Sequence, residues 1–226
     1  MKKVLIVIGC IVFFKIFFYF TSGRAMQSVA PTPRAQVSEA RAPQVRQPVP
    51  PDFRRWELLN GVGLDVPEGW VELSSKQIDQ IRQAADYSSV GGEDPTPEKD
   101  TVLALVAHAD PNINKANIRV SFINKEFTEE DVRAVTAPEI AQMCEQSKNP
   151  VMISEPACSV EELGGVAAVH FRYLRMQNAT GQPWVVEIYS VPLKDTNAIF
   201  TFSHQESDRF ARAALRNVKN TVYFQQ

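Results

Sequence analysis

Seventeen consecutive residues, Val4 to Phe20 (VLIVIGCIVFFKIFFYF), carry a single charge and follow directly on Met1-Lys2-Lys3. A run of that length lies at the short edge of what crosses a bilayer as a helix. The two early lysines set an N-in orientation by the positive-inside rule. Lys15 is the interruption. A lysine at the centre of a membrane helix costs about 2.5–3.5 kcal/mol on insertion scales. This one lies five residues from the far end, so its ammonium can snorkel to the interface. The expectation is a single-pass anchor in the inner (cytoplasmic) membrane, with residues 1–23 as anchor or signal segment and the rest of the chain in the periplasm or another extracytoplasmic space. Two alternatives stay open and leave the domain on the same side. One is signal-peptide cleavage after Gly23-Arg24-Ala25. The other is lipidation at Cys10 in Val7-Ile8-Gly9-Cys10, although little apolar sequence precedes that cysteine and more follows it.

Residues 24–52 contain six prolines and no glycine. With few large apolar side chains, they cannot bury enough surface to offset their ordering entropy, and they read as a Pro-rich disordered linker. As polyproline II the 29 residues reach at most about 90 Å. The overall charge of -2 hides an asymmetry, because residues 53–226 hold 17 Lys/Arg against 24 Asp/Glu, a net of -7. An acidic domain is a poor partner for phosphate backbones, which excludes nucleic acid as the expected ligand.

The remaining 174 residues suffice for one domain with a real core. Strands are expected over 53–59, 101–109, 118–124, 166–176, 184–193 and 197–204, with Asn60-Gly61 as a two-residue hairpin and Val151–Val160 as a strand interrupted at Pro156. In the fifth of these, Trp184, Val186 and Ile188 share one face and Glu187 the other. Ser74-Ser75 caps a helix over 76–88, ahead of a polar loop over 89–100, and Pro111-Asn112 forms a turn. Thr128 and Thr136 each open a helix, as one kinked helix or two abutting ones, ending near Ser147. Ser207 caps a last helix over 208–220 with Phe210, Ala211, Ala214, Leu215 and Val218 as its apolar stripe. Hairpins with helices inserted between them predict an α+β domain, an antiparallel sheet covered by helices. Cys144 and Cys158, an even pair in an extracytoplasmic domain, read as a disulfide pinning a helix to the next strand; buried free thiols are the alternative.

The order of elements resembles the PsbP-like superfamily, including the DcrB-type bacterial envelope proteins. The matching pieces are the hairpin around Asn60-Gly61, Val66-Pro67-Glu68-Gly69-Trp70 leading into a helix, Leu163-Gly164-Gly165-Val166-Ala167 opening a long strand, and a terminal helix with Phe210 and Leu215. The likeness covers most of 58–224 and implies a mostly non-enzymatic binding or assembly subunit, with no shared catalytic residues to carry over.

The chemistry-bearing residues do not assemble into a signature. His108, His170 and His204 are far apart, and no H-E-x-x-H, C-x-x-C, phosphate-binding loop or G-x-S-x-G elbow occurs. No cofactor or metal is called for. Ser203, His204 and Glu206 can be drawn as a hydrolytic set, a coincidence common in domains of this size. Trp70, Tyr173, Trp184 and Tyr189 are candidates for an aromatic binding surface, with core burial of Trp70 and Trp184 the favoured reading. Asn178-Ala179-Thr180 matches a glycosylation sequon. The expected function is a non-catalytic membrane-anchored extracytoplasmic binding or assembly module acting on another envelope protein. An envelope-polymer hydrolase and a small-ligand carrier are the alternatives.

Overall fold

Period-two alternation of apolar residues makes the second half of the chain a set of long paired strands. The computed structural model describes residues 48–72, 102–109, 116–176 and 181–225. The expected membrane segment over 4–20, most of the linker, the helix over 76–88, the loop over 89–100, the turn at Pro111-Asn112 and the sequon at Asn178 lie outside the described residues. Among the described residues, ten strands and three α-helices follow in order: β1 (Phe53–Glu57), β2 (Val62–Pro67), β3 (Val71–Glu72), β4 (Val102–His108), β5 (Ala116–Asn124), α1 (Glu129–Ala134), α2 (Ala137–Gln146), β6 (Ala157–Leu163), β7 (Val166–Met176), β8 (Pro183–Pro192), β9 (Thr196–Gln205), α3 (Arg209–Thr221) and β10 (Tyr223–Phe224). The result is α+β with antiparallel sheets and a few helices.

A single sheet was the expectation, and two are present. β3-β4-β5-β9-β8-β7-β6 form a seven-stranded antiparallel sheet, whereas β1-β2-β10 form a separate three-stranded one. The cause is β10, a two-residue strand that no periodicity announces. After α3 the chain returns to pair Tyr223 with Gly63 and Phe224 with Val62. The opening hairpin is thereby claimed by the C-terminus. Its turn also differs from a two-residue hairpin. Asn60 and Gly61 do take successive left-handed conformations (φ 57 and 68), as a type I′ turn needs. The ladder resumes one residue early, however, with the Leu58 N–H donating to the Val62 carbonyl at 2.8 Å. Leu58 and Leu59 thus oppose Val62 alone, a bulge.

Other boundaries follow local chemistry. The two threonine signals produce two helices. Thr128 accepts from the Asp131 N–H and its own N–H donates to the Asp131 carboxylate, and the Thr136 N–H donates likewise to Glu139. β6 begins after Pro156 and does not run through it, since proline cannot donate to a ladder. α3 is capped by Asp208 in place of Ser207, its carboxylate accepting from the Phe210 and Ala211 N–H groups at 3.0 and 2.9 Å. Gly164-Gly165 closes the β6–β7 hairpin with φ of 55 and 71. A Cβ at Gly164 would meet the Phe224 ring at 2.7 Å, so the same turn also makes room for β10.

The core lies between the seven-stranded sheet, α3 and β2. Phe200 and Leu64 are fully buried, joined by Ile118, Val120, Phe202, Leu215 and Val218. Each such side chain contributes about 1.5–3 kcal/mol by burial. Phe210, expected in the apolar stripe of α3, is instead 88% exposed. The buried face consists of Ala211, Leu215 and Val218, one and two turns apart, and Phe210 precedes it by one residue, rotated about 100° away.

Candidate functional site

Strand alternation turns one face of the seven-stranded sheet toward α3, and the polar residues on that face gather into a seam. Ser159 pairs with His170 across β6 and β7, and His170 with Tyr189 across β7 and β8. The His170 and Tyr189 rings stack at 4.4 Å, and Tyr189 meets Phe202 edge-on at 6.0 Å. Glu161, two residues along β6, holds the group together. It accepts from His170 Nδ1 at 2.8 Å, Ser159 Oγ at 2.9 Å and Tyr189 Oη at 3.3 Å.

This wiring sets the protonation states. Burial pushes the His170 pKa down, against the opposing pull of Glu161 and Glu187, and Lys219 adds to the lowering. The ring is therefore neutral near pH 7, and its contact with Glu161 is an N–H donated to a carboxylate. For Glu161, partial burial works upward, but the bonds from Ser159, His170 and Tyr189 prevail and hold it below the usual carboxylate range. Burial pushes the Tyr189 phenol up, assisted by Glu161 and Glu187, so it stays protonated and donates. With the proton on Nδ1, His170 Nε2 is a bare acceptor, buried and without a hydrogen-bond partner. Ser159 Oγ is 3.2 Å from Nδ1, the nitrogen already committed to Glu161, so serine and imidazole are not arranged as nucleophile and base.

The other half of the seam lies under α3. A cavity of about 120 Å³ opens there, floored by Phe202 and Leu215 and rimmed by Arg212, Arg216 and Lys219, with Glu187 and His204 on the strand side. Lys219 donates to Glu187 and lies 5.7 Å over the Tyr189 ring and 5.9 Å over that of Phe202. Arg172 approaches the same carboxylate at 3.8 Å. Arg212 donates to the Glu206 carbonyl at 2.9 Å. His204 Nδ1 bonds the Gln205 carbonyl at 2.7 Å. Burial lowers its pKa, which the Gln205 bond opposes and Arg212 reinforces.

The residues singled out from sequence fall unevenly around this seam. Cys144 and Cys158 form a disulfide, Cα atoms 5.6 Å apart, tying α2 to β6. His170 and His204 share the seam face, whereas Ser203 precedes His204 on β9 and points to the opposite face. The Ser203–His204–Glu206 set is thus dissolved. Trp70, Tyr173, Trp184 and Tyr189 are all buried, so they do not form an aromatic binding surface. Among the described residues, no three His, Cys, Asp or Glu side chains converge as a metal site, and no helix is long and apolar enough to cross a membrane. Sequence reasoning missed Ser159, Glu161, Arg212, Arg216 and Lys219. Only the last three left a signal, the spacing of four cations in an acid-free helix.

No protein-family model matches the sequence, and no curated protein matches it. Solved structures give weak likenesses. A crystal structure from Bacteroides thetaiotaomicron aligns at TM-score 0.46 and 9% identity over 77% of this chain, which spans about half (49%) of that one. LpqN of Mycobacterium tuberculosis, described as involved in cell envelope biogenesis, aligns at TM-score 0.40 and 14% identity, covering 73% of this chain and 83% of its own. The Saccharomyces cerevisiae Ran-binding protein Mog1p aligns at 0.41 and 11%, covering 76% and 95%. No residue role is carried over from them.

Proposed function

We propose that this chain is a non-catalytic binding or assembly module of the PsbP-like, DcrB-type class, tethered to the membrane through residues 4–20 and acting outside the cytoplasm on another envelope protein. The wiring of the seam carries the binding half of this reading. The imidazole that a hydroxyl approaches, His170, commits its Nδ1 proton to Glu161 and has its other nitrogen sealed from solvent. Of the seam groups that reach solvent, Arg172, Arg212 and Arg216 are permanent cations suited to hold a charge, and the Glu161 carboxylate is engaged by His170, Ser159 and Tyr189. The cavity's volume, about 120 Å³, falls below the roughly 300–1,000 Å³ of small-molecule sites, which favours a protein partner over a carried ligand.

The Cys144–Cys158 bridge supports the compartment half, because disulfides persist in oxidising spaces. Fractionation combined with thiol alkylation in intact cells tests both halves. The expected result is recovery in the membrane fraction, with Cys144 and Cys158 alkylated only after reduction. Full-length chain in the cytosol with both thiols open to alkylation would overturn the reading. So would turnover of a cell-wall polymer by the purified chain that is lost on replacing Glu161 or His170.

A further inference from the structure

α3 carries Arg209, Arg212, Arg216 and Lys219 and no acidic residue, on a domain whose net charge is -7. At about 100° per residue these four fall within one quarter of the helix circumference, along the flank beside the buried face. The arrangement works against the helix itself. Arg212 and Arg216 are like charges at i,i+4, with Arg209 three residues before the first and Lys219 three after the second, and such pairs cost a few tenths of a kcal/mol apiece. Arg209 occupies the first turn, where the macrodipole is positive and disfavours a cation. Arg209 and Arg216 are exposed, and neither makes an ion pair with a described residue. Local choices that oppose stability without a compensating partner are expected at functional positions.

Resting on the binding-module reading above, we infer that this stripe and the adjoining cavity form the docking site for an acidic segment of a protein partner. A side-chain carboxylate would enter between Arg212 and Arg216, next to His204, with Lys219 and Glu187, already paired with each other, forming the cavity wall. The eleven residues from Arg209 to Lys219 span about 15 Å of helix. That length matches about five residues of extended chain, so successive carboxylates of one segment can meet successive cations. A single small anion would satisfy only part of the row. An anionic lipid surface is disfavoured because the domain as a whole is acidic and would be repelled, whereas a short segment meets only the stripe.

The test titrates full-length chain in neutral detergent with a labelled octaglutamate peptide and with octaglutamine. The octaglutamate is expected to bind at least about ten times more tightly, and R209Q/R216Q is expected to weaken it about fivefold, the effect of two exposed ion pairs. Equal binding of the two peptides, or undiminished binding by the double variant, overturns the inference. In intact cells, a photocrosslinking residue at exposed Ala213 is expected to capture a Glu/Asp-rich segment of one protein, and R209Q/R216Q to reduce that capture severalfold. A lipid adduct, or capture indifferent to the two arginines, also overturns it. If Ala213 captures nothing while a crosslinker at half-exposed Val160 on β6 captures a partner, the docking site is wrong and the module reading stands. Failure at both positions removes the module reading, and the peptide titration still decides the site.

Discussion

Where α3 runs into β10, the Asp65 carboxylate is completely buried and both its oxygens are taken by Arg55, at 2.8 and 3.0 Å. The Asp65 N–H donates to the Thr221 hydroxyl at 2.9 Å, and that hydroxyl donates to the Val218 carbonyl at 2.8 Å. Arg55 also lies 5.3 Å over the Tyr223 ring. In the preceding turns of the same helix, Arg209 and Arg216 stand exposed and form no ion pair with a described residue. Both ends are polar, and the difference lies in desolvation. A charge withdrawn from water needs a partner within the fold, because its solvation cost is otherwise uncompensated. A charge left in water needs none, and is free to meet one from outside. The C-terminal end of α3 is thus built to hold the fold closed, and the N-terminal end is open to another molecule.

Breaking the closed end should give the largest effect. Arg55→Ala strands the Asp65 carboxylate at zero exposure, and loss of one partner from a buried pair costs about 3–5 kcal/mol. Urea denaturation should show a fall of that size. A change under about 1 kcal/mol would mean that water reaches Asp65 and that the two ends do not differ as described. Next in size is the tie between α2 and β6. Cys144 and Cys158 lie 14 residues apart, and a loop of that length is worth about 3 kcal/mol in the chain-entropy model. The C144S/C158S variant should lose about that much. Its midpoint should be indifferent to reductant, whereas the parent's midpoint falls toward it.

How far the sequence anticipated these regions depends on whether the governing interaction is local. β7, β8 and β9 were readable to within a residue because their alternation repeats for ten residues or more, and both threonine caps because each bonds within its own first turn. β10 was not readable, since two residues carry no period, and its pairing with β2 depends on a chain return more than 150 residues long. The Arg55–Asp65 lock was hidden by the bulge at Leu58-Leu59, since a two-residue turn at Asn60-Gly61 would set Trp56 opposite Asp65, whereas the actual register sets Arg55 there. Of the seam, His170 and His204 could be named but not placed together, because their shared face depends on how β7, β8 and β9 pair. Phe210 was misassigned by a rotation of one residue, an error the helical period permits when both neighbouring positions are apolar.

A pH series distinguishes the two regions without mutation. The seam holds two buried histidines, and the Arg55–Asp65 lock holds none. Burial lowers the pKa of His170 and His204 in the folded chain from the ordinary 6.5, so below that value the unfolded chain binds protons that the folded chain refuses. Stability is therefore full above about 6.5 and is lost as pH falls through the folded values. The slope is at most about 1.4 kcal/mol per pH unit for each histidine. Around His170 the groups that set this are Glu161 on β6, Glu187 on β8 and Lys219 on α3. Glu161, held below its ordinary range, adds its share only at more acid pH. H170Q and H204Q should each flatten the curve between neutrality and pH 5, as read from urea midpoints. A parent curve flat over that interval would contradict the burial of both rings.

The smallest expected change in stability falls at the open end, and its sign matters more than its size. Replacing Arg209 and Arg216 by glutamine removes a cation from the positive end of the macrodipole and relieves the repulsion with Arg212 and Lys219. No buried bond is lost, so R209Q/R216Q should be unchanged or more stable by up to about 0.5 kcal/mol. Thermal melts at low and high salt check this, because a gain due to relieved repulsion shrinks as salt screens it. A loss of 1 kcal/mol or more would mean that the arginines support the fold, and the contrast between the two ends of α3 would disappear. A salt-sensitive gain, alongside weakened binding of an acidic peptide, would mean that the helix keeps charges that cost it stability and that serve to hold a partner.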